Sequence, residues 1–149
     1  MRRLLTRFVL RTLYRLRRLY WQLRRPVLLG VRVVPIGPNG HVLLVEHSYV
    51  AGWYVPGGAV DAGETLSAAA ARELREEVGV DAEVKFVQMQ TFFLGGRSDH
   101  IALFVARVNT EFEIDEVEIS QARFFSVDAL PPLPAVTQRH LEAVGLVNQ

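Results

Sequence analysis

Cysteine is absent from this chain of 149 residues, so disulfides, thiolate zinc centres and cysteine nucleophiles are all excluded. The absence leaves the redox compartment open. Long uninterrupted apolar runs are missing as well. The stretch from 4 to 23 is rich in leucine but carries five arginines, at about 2.5–3.5 kcal/mol each near a bilayer centre, which argues against a spanning helix. No apolar h-region with a small-residue cleavage site marks a secretory signal. Internal repeats and low-complexity tracts are lacking. With half the residues hydrophobic and 22% charged, disorder is excluded, and the length suits one domain rather than several.

One further absence is local. Residues 1–25 contain nine arginines and no acidic residue, glycine or proline. The remaining 124 residues hold eight basic groups and all sixteen acids, so the net +1 is the sum of a +9 arm and a −8 body. Two domains of unequal character are expected, a basic amphipathic helix over 1–25 and a globular domain over 26–149. In the arm, Leu5, Phe8, Val9, Leu13, Leu16, Leu19, Tyr20 and Leu23 share one helical side. Arg3, Arg7, Arg11, Arg15 and Arg18 line the other, and Pro26 ends the pattern.

Past Pro26 the period changes. The spacing predicts strands over 27–37 and 41–47 joined by the turn Gly37-Pro38-Asn39-Gly40, then a short extended segment, 53–60, broken by Pro-Gly-Gly. A helix is predicted from Thr65 to Val78, stopped by Gly79. Strands over 82–94 and 100–108 follow, then an acidic loop (111–120), a strand over 122–127 and a closing helix over 133–146.

The chemistry concentrates in Gly58 to Val80. Glu73, Glu76 and Glu77 stand at i, i+3 and i+4, which places their side chains on one helix face. Like charges so close repel, and no lysine is interleaved in this helix. A hard divalent cation, Mg²⁺ or Mn²⁺, is the natural neutraliser, because it prefers carboxylate oxygens and retains sites for substrate phosphate. Arg72 adjoins Glu73 and can orient a carboxylate through its planar fork. Gly57-Gly58 lets the backbone approach a metal closely. An isolated E-x-x-E-E would read as a solvated acidic face.

The full run is more specific. Gly58, Glu64, Arg72, Glu73, Leu74, Glu76, Glu77, Gly79 and Val80 match G-x5-E-x7-R-E-U-x-E-E-x-G-U, with U apolar, at every position. A chance match is rarer than about one in a hundred million per start position. The sequence therefore resembles the Nudix hydrolases over these 23 residues, and more weakly over about 27–147. The resemblance implies an α/β fold, an α/β/α sandwich around a mixed sheet, here preceded by the amphipathic helix. It implies metal-dependent attack by water on the diphosphate bond of a nucleoside diphosphate linked to another moiety X. Carried over by position, Glu73, Glu76 and Glu77 would be the catalytic and metal-binding carboxylates, with Glu73 the favoured general base. Arg72 would orient Glu73, Gly57 would lend its carbonyl to the metal and Glu64 would brace the loop–helix turn. The family often adds an acidic ligand before the strand near the C-terminus; Glu118 is the best-placed candidate and Glu116 the next, each equally readable as a solvated loop residue.

Candidate substrate contacts are less sharply marked. Arg32 and Arg97 are candidate phosphate contacts, together with Arg107 and Arg123. His100 opens a strand and is either a phosphate contact or a surface histidine. Trp53, with Tyr54, either stacks on a nucleobase or, the better expectation, packs beneath the loop. Several substrate signatures of the family are missing: the proline about sixteen residues past the box (Gly96 stands there), the tyrosine of dinucleoside polyphosphate enzymes, the SQPWPFP-type run of NADH pyrophosphatases, and the coenzyme A motif. The diphosphate isomerases of this fold use a cysteine, so the first absence disfavours them too.

Two functions from different classes follow. One is a hydrolase; the other is a Nudix-fold binding or regulatory protein whose arm contacts membrane or RNA. For the arm, packing on its own domain or in a homodimer and lying on an anionic membrane surface rank level. A targeting peptide and a nucleic-acid clamp rank behind. The expected location is cytoplasmic, with a peripheral membrane position left open.

Overall fold

The structure is a computed structural model describing residues 12, 13, 16, 27–94, 97–109 and 111–147. Most of the expected N-terminal helix lies outside the described residues. Of it, Thr12, Leu13 and Leu16 are helical, and both leucines are exposed.

The body is built on six strands and two helices: β1 (Val27–Ile36), β2 (Val42–His47), β3 (Trp53–Tyr54), α1 (Leu66–Val78), β4 (Val84–Leu94), β5 (Arg97–Arg107), β6 (Ile119–Phe125) and α2 (Ala135–Ala143). Their order in the sheet is β3-β2-β1-β5-β4, with β6 on the other side of β2. β1 and β5 run parallel from Val27↔Ser98 to Ile36↔Arg107, and the remaining pairs are antiparallel. The expected mixed sheet is present. β5 and β6 both begin earlier than the apolar periods suggest, at Arg97 and Ile119, because backbone pairing carries polar residues that periodicity does not mark.

Strand alternation sorts the core into two layers. Val31, Val33, Leu43, Val45, Ala102 and Phe104 face α1, where Ala69, Ala70, Leu74 and Val78 cover them. Val34, Leu44 and Leu103 face the opposite way and pack with Leu141 of α2. Helices therefore cover both faces of the sheet. The β1–β2 turn uses Asn39 (φ 59°) and Gly40 (φ 75°) in the left-handed region, as its Pro-Asn-Gly composition anticipates.

One feature of β1 positions the site. β2 pairs with β1 only at Ile36↔Val42, so most of that edge of β1 is left to another partner. The segment after β3 fills it: Val33 donates to Pro56 O, Val31 to Gly58 O, and Val60 to Leu29 O. The Pro-Gly-Gly loop is thereby held as an extra extended run against the middle of the sheet.

Candidate active site

α1 starts and stops on sequence signals. Thr65 caps it, accepting a hydrogen bond from Ala68 N at 3.2 Å, and Gly79 ends it in the left-handed conformation (φ 66°). The first two turns bury only alanines, which lets the helix lie close on the sheet. Its acidic face then meets the Gly57–Gly58 loop.

Arg72 is the centre of the polar network. Its Nε and Nη2 donate to Glu64 Oε1 and Oε2 at 2.9 and 3.0 Å, a bidentate fork. Nη1 donates to Glu73 Oε1 (2.8 Å) and Glu76 Oε2 (3.0 Å), and Nη2 also reaches Ala59 O (3.1 Å). These bonds hold Arg72 charged well above its ordinary range, and the same fork holds Glu64 below the usual carboxylate range. Glu64 also accepts from Asp61 N, so one carboxylate ties the loop to the helix.

Glu73 lies against Gly58. A Cβ on that glycine would stand 2.6 Å from the Glu73 carboxyl carbon, so only glycine leaves the carboxylate its place. Burial raises the pKa of Glu73, and the adjacent Arg72 opposes that rise. Gly57 has φ 142°, and a side chain there would run into Val31 O. Its closeness to the strand is what brings its N–H to the Glu77 carboxylate.

Glu77 differs from its neighbours. It is 5% exposed, and its Oε2 is buried without a hydrogen-bond partner. Burial pushes its pKa up to about 8, a rise moderated by Arg32. The three glutamates therefore do not meet as one cluster. Glu73 and Glu76 are turned onto Arg72, Glu77 points inward, and among the described residues no three Asp, Glu or His side chains stand together as a ready cation cage. Helical spacing puts them on one face; the position of Arg72 within that face divides them.

The acidic loop folds back over the C-terminal end of α1. Glu113 N donates to Val78 O (2.9 Å) and Asp115 N to Glu77 O (3.3 Å), while Ser48 N and Oγ take Glu118 O (2.7 Å) and Val117 O (2.8 Å). Glu118 is thus placed near Glu76 and Glu77. Its own pKa is raised by partial burial, then by Asp115 and Glu76.

Arg32, a candidate phosphate contact by sequence, is the cation whose charge reaches this site. It is half-buried on β1, and its recorded hydrogen bond is to its own neighbour, Val31 O, at 3.0 Å. Its charge bears on Glu73, Glu77, His47 and His140. His47, at the end of β2, was not legible as a site residue. Burial, aided by Arg32, lowers its pKa to about 4; Nδ1 is buried without a partner, and the ring packs on Tyr49 and Tyr54. A lone histidine after Glu46, at the end of an apolar run, carries no sequence signal for this. His140 is core: it is 1% exposed, held at about 3 chiefly by burial, and bonded to Gln90.

The other candidates sit elsewhere. Trp53 packs edge-on against Phe125 (4.9 Å) and gives its carbonyl to Thr137, so its ring is occupied in the core, as the packing alternative anticipates. His100 engages Thr91 across the β4–β5 pair. Arg97 opens β5, and its side chain is outside the described part of the structure. A surface hollow of about 750 Å³ follows the acidic loop and β6 and includes Arg123 but neither Glu73 nor Glu77.

A comparison with known families decides what this arrangement belongs to: residues 26–144 match the NUDIX domain. The chain is a member of the NUDIX family. This NUDIX chain is 39% identical over 97 residues to an NAD-capped RNA hydrolase, NudC, of Pseudomonas aeruginosa, covering 59% of this chain and 34% of that protein. It therefore spans about a third of that relative's length. A putative 8-oxo-dGTP diphosphatase of Bacillus subtilis is 36% identical over 76 residues, 44% of this chain and 51% of that protein. Among solved structures, a MutT NUDIX hydrolase from Burkholderia pseudomallei superposes with a TM-score of 0.72 at 24% identity, over 80% of this chain and 98% of that one. The NUDIX fold is thus common to both.

Proposed function

We propose that this NUDIX chain is a metal-dependent pyrophosphohydrolase that cleaves the diphosphate bond of a nucleoside diphosphate linked to a second moiety. The observation that carries the reading is Glu77, a buried carboxylate with an unpartnered oxygen beside the Gly57 backbone. Such a group is costly to ionise unless a cation joins it. Glu118 and Glu73 add negative charge around it, and Arg32 does not close on it. The donor types suit a hard divalent ion: Glu77, Glu118 and the Gly57 carbonyl would hold Mg²⁺ or Mn²⁺, with Glu73 and Glu76 joining them by turning from Arg72. When bound, the metal would supply neutralisation of phosphate oxygens and a more acidic water.

The chain's own groups divide the remaining work. Glu73, fixed by Arg72 and by its seat on Gly58, is the general base in this proposal. Arg32, which forms no carboxylate bond among the described residues, is the phosphate contact. The relatives that match act on different compounds by their names, and the run typical of NADH pyrophosphatases is missing here, so the moiety X is left to measurement.

The test is a panel of nucleoside diphosphate compounds and nucleoside triphosphates, with Mg²⁺, with Mn²⁺ and with a chelator. Metal-dependent release of a nucleoside monophosphate is expected. No turnover of any compound would leave the binding or regulatory reading in its place. Gly58→Ala gives a sharper check on Glu73. The obstruction is the end of a side chain, so the fold should survive while the carboxylate is displaced. Displacement by about 1 Å can cost about 10²-fold. The expected result is a kcat loss on that scale with an unchanged circular dichroism spectrum.

A further inference from the structure

The β4–β5–β1 side of the sheet ends in an apolar strip that α1 does not reach. The register sets it out in rows on the α1 face: Val27, Ser98 and Phe93 form one, Leu29, His100 and Thr91 the next, and Val31, Ala102 and Met89 the third. Val31 and Ala102 are fully buried beneath α1. Beyond them Phe93 is 81% exposed, Val27 70%, Met89 46% and Leu29 45%. These three rows contain no carboxylate, on a body that carries −8. The only acid in that part of β5, Asp99, alternates to the opposite face and is buried.

The strip lies where the arm joins the body, since Val27 and Leu29 open β1 directly after residues 1–25. The arm has the composition of an interfacial helix, with leucines and aromatics along one side and arginines along the other. Its apolar side is not spent at the two positions that can be inspected: Leu13 is 55% and Leu16 59% exposed. No helix among the described residues is long and apolar enough to cross a membrane. Exposed Leu13 and Leu16 of the arginine-rich arm and an acid-free, partly apolar sheet face thus adjoin along the chain.

We propose that residues 1–25 and the strip Val27, Leu29, Met89 and Phe93 together dock this protein on an anionic bilayer surface. The arm's nine arginines supply the attraction to anionic headgroups. They have to overcome the repulsion of an acidic body, which limits the approach to an orientation that turns the carboxylates away. The strip is the part of the body that meets that condition. This docking stands apart from the hydrolase reading, because none of its residues belongs to the carboxylate site.

The experiment is vesicle sedimentation of the full-length chain. It uses phosphatidylcholine vesicles and vesicles that also contain phosphatidylglycerol, at low and high salt. Three proteins are compared: the wild type, a Leu13→Asp, Leu16→Asp double variant, and Phe93→Asp, each checked for unchanged circular dichroism. Binding to the anionic vesicles alone, lost at high salt and weakened about tenfold or more in both variants, is the expected result. Absence of binding overturns the proposal, and so does full binding by Phe93→Asp, which would confine the contact to the arm. Light scattering is run in parallel without vesicles. A wild-type dimer that Phe93→Asp makes monomeric would make the strip a self-association face and also overturn the proposal. So would a shared loss of thermal stability in both variants without vesicle binding, which would place the arm over the strip within one chain.

Discussion

Glu77→Gln is expected to remove hydrolysis while leaving the chain folded, with a fall in kcat of at least about 10²-fold, the scale seen when a group facing transition-state charge is lost. The side chain is buried and keeps its shape as glutamine, so packing is preserved and only the charge is withdrawn. The same change should alter the dependence of stability on pH. In the metal-free chain Glu77 titrates near 8, against an ordinary value of 4.5. Between these values the folded chain holds a proton that the unfolded chain releases. Raising the pH through this window therefore costs stability, with a slope of up to about 1.4 kcal/mol per unit. The contribution is fully present below about 4.5 and lost by about pH 8. Buried His47 and His140, lowered to about 4 and about 3, act in the opposite sense up to about pH 6.5. Urea midpoints in chelator should therefore fall for the wild type between about pH 6.5 and 8 and flatten there for Glu77→Gln. Adding Mg²⁺ at the alkaline end should restore the wild type and leave the variant unmoved. A wild-type midpoint that Mg²⁺ does not shift would count against Glu77 as a ligand.

Arg72→Ala is expected to damage both stability and activity. The guanidinium is the common partner of Glu64, Glu73 and Glu76, and its side chain is 20% exposed, beside 16% for Glu64 and 13% for Glu73. Removing it leaves two poorly hydrated carboxylates facing each other. Breaking the network from one side should lower the urea midpoint, by less than in a fully buried pair because Glu76 is solvated. It also frees Glu73 from its seat on Gly58, so kcat should fall together with the urea midpoint. Arg72→Lys separates the two effects. Lysine keeps the charge but cannot span Glu64 and Glu73 with a planar fork, so it should recover part of the midpoint and little of the rate. A fully active Arg72→Lys protein would show that charge alone, without orientation, is what the site needs from this position.

Much of this site is legible in the chain because its parts are local. Gly58 to Val80 is one loop and one helix, and within such a unit sequence spacing is nearly geometry. Thr65 and Gly79 mark the helix ends, and Glu64, Arg72 and Glu73 meet because loop and helix return to each other over a short span. The turn at Asn39–Gly40 is legible for the same reason, since turn chemistry is short-range. Arg32, His47 and Ser48 come from the β1–β2 hairpin and the loop after it. Their relation to Glu77 and Glu118 depends on how β1, the Pro-Gly-Gly run and β6 are laid side by side. Nothing in an arginine between two valines says that it will face a carboxylate on a helix forty-five residues away.

Sequence alone thus determined the family pattern, the helix that carries the carboxylates and the division of charge between arm and body, while the mixed α/β architecture was implied through the family resemblance. These are matters of residue type at fixed spacing. Tertiary structure decided which carboxylate is paired and which is stranded. Glu73, Glu76 and Glu77 are equivalent as a string, yet Arg72 takes the first two, and the Gly57 loop closes over the third. The reason is desolvation. An acidic residue's chemistry depends on the water it loses and the partner it gains, and both are fixed only when distant segments pack around it.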